Sequence, residues 1–202
     1  MLLLAFSSSL FAVETKYDSF GFHFSAPFIF ETAEENDVNA KTNISSVAFG
    51  IHSMSLYTER IGIYVNMDLV FPQKLKTTLS YGSLSYDYEL SRSDYDSLWG
   101  MSSLIAPAIC AKQTESMLFT VSPGLHYIML FADAASSGVT YLLGLGVNVQ
   151  DSIFFGTNGY FTFGADIAYD FLGSAMVDGK SKSGNTNDFI FTPRIGIGFK
   201  FK

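Results

Sequence analysis

Every second residue of FGFHFSAPFIF (residues 20–30) is apolar, which sets Phe20, Phe22, Phe24, Phe28 and Phe30 against Gly21, His23, Ser25, Pro27 and Ile29. A period of two is the mark of a β-strand whose two faces meet unlike surroundings. The same alternation returns around residues 45–57, 61–71, 99–109, 117–131, 139–149, 161–171 and 189–201. It is weakest in LWGMSSLIAPAIC, the fourth stripe. Eight two-faced strands are therefore expected. The segments between them alternate in length. Stretches over 32–43, 72–94 and 173–187 read as long loops and 133–138 as a modest one, whereas 58–59, 112–115 and 150–151 read as tight turns. Within the second long stretch, LSYGSLSYDYEL can form a short hairpin that extends the third and fourth strands. Its arms are too short for the ~9–11 residues of a membrane-crossing strand.

Alternation alone does not say which face meets water, since a soluble lipocalin-like barrel alternates as well. Residue type separates the two cases. The non-apolar faces carry Gly62, Gly144, Gly146, Gly164, Gly196 and Gly198 where a solvated surface would carry Lys, Glu and Thr. Small residues suit the crowded inside of an eight-stranded barrel, which side chains fill. The apolar stripes carry no charge, as contact with lipid requires. Closing the sheet also removes the unpaired edge that lipid cannot satisfy. The expected fold is an all-β, closed, antiparallel eight-stranded transmembrane barrel over residues 13–202, with long loops at one end and short turns at the other.

Aromatic residues make up 16% of the chain and charged residues only 15%, an unusual balance for a water-soluble domain. The net charge of −7, with no basic cluster, argues against a nucleic-acid surface. Cys110 is the lone cysteine, which leaves no internal disulfide and no Cys-rich metal site. The first residues, MLLLAFSSSLFA, have the apolar core and small final residue of a secretory signal peptide, expected over 1–12, although the usual basic start is missing.

The closing PRIGIGFKF resembles the C-terminal signal by which small bacterial outer-membrane barrels are recognised for assembly, with Lys202 following the final Phe201 as a departure. Size, strand count and exported start resemble OmpW-like barrels and small spirochaetal outer-membrane proteins. That resemblance implies an outer-membrane location, partnership with the lipid bilayer and the assembly machinery, and passage of small hydrophobic solutes. A barrel of OmpA or OmpX type, acting on host ligands through its outer loops, is the alternative. No cofactor is implied.

Inside the barrel, His23, His52, Asp166 and Arg194 are expected to form a polar network, with Asp166 and Arg194 paired because a lone buried charge is costly. His126 also faces inward, higher and across the barrel. Three histidines need convergent geometry to hold zinc, and no such set is expected. His23 and Ser25 share the His-x-Ser spacing of outer-membrane lipid A deacylases, but both point inward and no acid partner is evident, so no enzyme is expected. Pro27, Pro107, Pro123 and Pro193 fall within strands, where proline deletes a ladder hydrogen bond. Pro123 followed by Gly124 marks the expected weak point of the wall, a lateral opening for an apolar solute.

Overall fold

The computed structural model describes residues 15–201 except 36, 37 and 135. The leader expected over 1–12, and Lys202, lie outside the described residues. Among the described residues ten strands follow one another: β1 (Tyr17–Ser25), β2 (Phe28–Glu35), β3 (Val38–Leu56), β4 (Ile61–Tyr81), β5 (Leu84–Ser91), β6 (Ser97–Gln113), β7 (Met117–Asp133), β8 (Ser137–Phe155), β9 (Gly159–Val177) and β10 (Lys180–Lys200). All pairings are antiparallel, and β1 pairs with both β3 and β10, so the sheet closes.

The ring has eight staves. β1 and β2 are one stave interrupted at Ala26–Pro27, since both pair with β3 on one side and β10 on the other. Pro27 has no N–H to give, but its carbonyl accepts from Ser46 N (2.9 Å), and Ala26 N donates to the Pro193 carbonyl (3.1 Å). β5 is the second addition. It continues the line of β6 upward through a 3₁₀ turn (Arg92–Asp94) and pairs only with the upper part of β4.

The faces follow the alternation. Phe22 is 56% exposed and Phe49 59%, with Phe24, Phe28, Phe30, Ile105, Leu125, Leu145, Phe161, Phe163, Ile195 and Phe199 also on the outside. An outer surface of this kind is stable only against hydrocarbon. Trp99 stacks on Phe131 at 4.4 Å near the upper end of β6 and β7, an amphipathic anchor at interface height.

Most described residues of the segments expected as long loops over 32–43, 72–94 and 173–187 lie in strands instead, whereas 133–138 holds the turn between β7 and β8. β2 and β3 continue to Glu35 and from Val38, β4 runs to Tyr81, and β9 and β10 reach the turn at Asp178–Gly179. Ladder hydrogen bonds need no apolar stripe, and above the bilayer the stripe reverses faces. Bulges hide the continuity further. Pairing shifts between Ser45 and Ser46 opposite β4, leaving Gln73 as the extra residue, and again between Leu143 and Gly144 opposite β9. The turn expected at 150–151 lies lower, since β8 continues to Phe155 and pairs with β9 up to Gly159. Gln150 and Ser152 are polar because they face the lumen. Tyr81–Leu84 closes the β4–β5 hairpin that the sequence allows.

Candidate functional site in the barrel lumen

Side chains fill the lumen in three layers. At the end with short turns, Tyr17, Met54, Leu56, Tyr64, Leu104, Ala106, Ala108, Cys110 and Leu118 form an apolar cluster with Phe154 against it. Toward the other end, Ile29, Ile44, Ile128, Leu142, Ala168 and Ile190 form a second one, with Leu75 and Leu130. Polar residues lie between, and a further polar row, Asp188, Glu31, Thr42 and Thr77, stands in register above Ile190, Ile29, Ile44 and Leu75.

The middle layer is built by register. His52 on β3 stands opposite Gly21 on β1, and His23 on β1 stands opposite Gly50 on β3. A Cβ at Gly21 would sit 2.5 Å from His52 Cε1, and one at Gly50 would lie 2.7 Å from His23 Cε1, so each glycine leaves the space that a histidine ring fills. The rings meet at Nδ1···Nδ1, 3.1 Å, and His23 Nε2 reaches Asp68 Oδ1 at 2.7 Å. Ser25 Oγ donates to the same oxygen (3.0 Å), and the Tyr160 hydroxyl lies 3.0 Å from His52 Nε2. An ionised carboxylate only accepts, which orders the whole chain. Tyr160 donates to His52 Nε2, His52 Nδ1–H to His23 Nδ1, and His23 Nε2–H to Asp68. Two neutral histidines satisfy this line without an unpaired proton.

Arg194 joins the chain to a second carboxylate. Its guanidinium is in contact with Asp166, stands 3.8 Å from Asp68 Oδ2, and donates to the Tyr64 hydroxyl at 2.7 Å. Asn66 and Asn148 donate to the two oxygens of Asp166, at 2.9 and 2.7 Å. Arg194 is 3% exposed. A buried cation between two carboxylates with neutral donors around them is the geometry in which ion-pair attraction offsets desolvation. The structure thus brings His23, His52, Asp166 and Arg194 into one connected group. Asp68, which the sequence reading left out, is the residue that joins its two halves. Its signal was present: it lies on the inward face of the third stripe, opposite Gly50.

His126 stands apart, on β7. Its Nδ1 lies 2.9 Å from Asp170 Oδ1 on β9, and its Nε2 lies 3.1 Å from Ser102 Oγ on β6. Gly144 of β8 stands between His126 and Asp170 in register, and a Cβ there would overlap the Tyr169 carbonyl and lie 2.5 Å from Asp170 Oδ1. Neither Ser102 nor Asp170 stands out in the sequence, because the contact spans four staves. Among the described residues, no three His, Cys, Asp or Glu side chains converge as a metal set. His23 and Ser25 share Asp68 rather than each other. Cys110 is a free, buried thiol within the lower apolar cluster.

Pro123 and Gly124 pair with Val147 and Gly146 of β8 without a break. On the β6 side, the ladder has no pairs between Ile105↔Leu125 and Ile109↔Val121, and this register places Pro107 opposite Pro123. Neither proline has an N–H to give, so both reciprocal hydrogen bonds are missing at one point of the wall. The prolines face outward, and the inward residues beside them are Ala106, Ala108, Ser122 and Gly124. The strands stay in contact, since a Cβ at Gly124 would lie 2.6 Å from Ala106 Cα. The wall there is unlaced but shut.

A closed ring of eight staves with a lipid-compatible exterior has well-defined counterparts. OprG of Pseudomonas aeruginosa matches with a TM-score of 0.61 at 13% identity, covering 93% of this chain and 97% of that one. The fold is that of a small outer-membrane β-barrel. AlkL, solved in DMPC bilayers, matches with a TM-score of 0.60 at 16% identity, covering 95% and 93%. Ail, the attachment invasion locus protein of Yersinia pestis, solved with the heparin analogue sucrose octasulfate, matches with a TM-score of 0.51 at 12% identity, covering 92% and 98%. No protein-family model matches the barrel's sequence, and neither does any curated protein.

Proposed function

We propose that the protein is exported by its leader, inserted by the outer-membrane assembly machinery, and serves as a narrow pathway for small hydrophobic molecules. The observation that carries this reading is the apolar inner face of the projecting sheet, which leads past one polar row, Asp188, Glu31, Thr42 and Thr77, into the upper lumen. Val38, Ala40, Leu79, Tyr81, Leu84 and Tyr86 share that face in register, above Ile44, Leu75 and Leu90. Leu84 is 72% exposed and Tyr86 68%, so the face stands open at the mouth. An apolar solute gains ~25 cal/mol for each Å² it buries there. A straight path onward meets the charged middle layer and the packed lower cluster. Release sideways between β6 and β7, where Pro107 faces Pro123 beside Ala106 and Ala108 of the lower cluster, spares the solute the rest of that cluster. The lateral opening expected at Pro123–Gly124 thus becomes a proposal about the β6–β7 seam.

Uptake of an apolar fluorescent probe into liposomes containing the protein tests this. Restoring both donors with Pro107→Val and Pro123→Val should slow uptake several-fold while leaving the folded, heat-modifiable gel band intact. Unchanged uptake in that double variant would remove lateral release, and uptake no faster than in empty liposomes would remove transport altogether.

A second reading rests on the β4–β5 hairpin, which carries Tyr81, Leu84 and Tyr86 beyond the ring with one strand edge unpaired. Exposed edges and aromatic residues are suited to binding another surface. Replacing residues 80–86 by a short Gly–Ser turn should abolish binding to host surfaces under this reading and leave probe uptake unchanged.

A further inference from the structure

Three inward side chains on three different strands form a Ser–His–Asp line, and the transport reading gives them no task. Ser102 Oγ stands 3.1 Å from His126 Nε2, and His126 Nδ1 stands 2.9 and 3.0 Å from the two oxygens of Asp170. We propose that Ser102, His126 and Asp170 form a serine acyl-transfer centre in the upper lumen, which hydrolyses esters of small apolar acyl groups.

The geometry assigns the roles. Asp170 is fully buried, and as a carboxylate it accepts only, so it holds the proton on His126 Nδ1. Nε2 is then the basic nitrogen and points at the Ser102 hydroxyl, the arrangement that activates a serine nucleophile. His126 is 3% exposed, whereas Ser102 is only partly buried, so the hydroxyl is the member most open to an incoming group. Gly144 keeps the line open by leaving no side chain between β7 and β9. Gly146, further down the same strand, lies beneath the ring, where a Cβ would meet His126 Cβ at 3.3 Å. Above, Ser102 pairs in register with Ile128, a member of the upper apolar cluster, which supplies a surface for an acyl chain.

The reaction balances with water as the only co-reactant. Ser102 Oγ bonds to the acyl carbonyl carbon as its proton passes to His126 Nε2. The ester C–O bond breaks and the alcohol leaves with that proton. Water then attacks the acyl-serine while giving a proton to His126, the carboxylic acid departs, and Ser102 recovers its hydrogen. The backbone on both sides of Ser102 is engaged by β4 and β7, so nucleophile activation comes without a dedicated oxyanion pair. Losing one such donor costs ~10²–10³-fold in rate, so slow turnover with a trappable acyl-enzyme is the expected signature.

The test uses the full chain refolded in detergent micelles, where no compartment has to be crossed, so its result is independent of transport. A fluorophosphonate probe should add once, at Ser102, as read by intact mass and peptide mapping. Hydrolysis of p-nitrophenyl butyrate should fall to the micelle background in Ser102→Ala and His126→Asn. Asp170→Asn should lower kcat at least ~10-fold with KM unchanged, and Asp170→Glu should recover part of that loss. Should Ser102→Ala lack the heat-modifiable band, Ser102→Thr, which keeps the hydroxyl, stands in as a slower enzyme that still takes the label. A wild-type protein that takes no label at Ser102, or a folded Ser102→Ala variant that hydrolyses the ester at the wild-type rate, would overturn the proposal.

Discussion

β3 runs through two regions of the molecule and keeps one parity throughout, yet its faces exchange character halfway. Below Ser45 its outward residues include Val47, Phe49 and Ile51, and its inward residues include Ala48, Gly50 and His52. Above Ser45 the outward residues are Asn39, Lys41 and Asn43, and the inward ones are Val38, Ala40, Thr42 and Ile44, apolar but for Thr42. The backbone does not change. The medium outside it does, from hydrocarbon to water, and the side chains reverse to suit. Alternation therefore reports a strand, and the identity of the outer face reports the solvent.

Four measurements would break or sharpen that comparison, the largest effect first. Inside the membrane wall, Arg194→Met leaves Asp166 and Asp68 facing each other, and it should cost ~3–5 kcal/mol in urea unfolding followed by Trp99 fluorescence. The double variant Arg194→Met with Asp166→Leu should recover much of that loss, and equal shifts for the two would refute the pairing. On the outer face, Phe49→Lys should cost ~2–4 kcal/mol and impair assembly into bilayers, while Thr78→Lys, outward on the projecting part of β4, should change neither. Were both tolerated alike, the division between hydrocarbon and water would lie elsewhere on the strands. At the far end, Asp178 and Gly179 hold φ of 48° and 78°, the pair of left-handed residues of a tight hairpin. Gly179→Ala should loosen that tip by ~1–2 kcal/mol, seen as local hydrogen exchange with the wall unaffected. The Lys74–Glu89 bridge at 2.8 Å is half-exposed on both sides, so Lys74→Ala should shift stability by no more than ~1 kcal/mol.

The eight staves were legible because Phe and Ile could be counted on one parity wherever lipid lies outside. The projections were not, because their outer faces are polar and read as loop. At Gln73 and near Phe171 an extra residue also breaks the count. Asp178–Gly179 was the available signal, since an Asp–Gly pair flanked by extended residues marks a hairpin tip rather than a long loop. In the lumen, inward parity sufficed to name His23, His52, Asp166 and Arg194. Asp68 needed the register of β3 against β4, and the meeting of Ser102, His126 and Asp170 needed the ring itself. No local pattern encodes a contact made across an empty glycine position.

The interruption of the first stave at Ala26–Pro27 has a consequence for how the ring shuts. Closure joins the chain's first strand to its last, and so carries the largest entropic demand of any pairing in the molecule. That seam comes in two parts, seven pairs from Ser19↔Lys200 to Ser25↔Arg194 and four from Phe28↔Phe191 to Glu31↔Asp188. The joint between them lacks the proline donors, so the two zippers fasten and open as separate units. Amides of β2 should then exchange with solvent at their own rate, faster than those of β1, in a barrel that never comes undone.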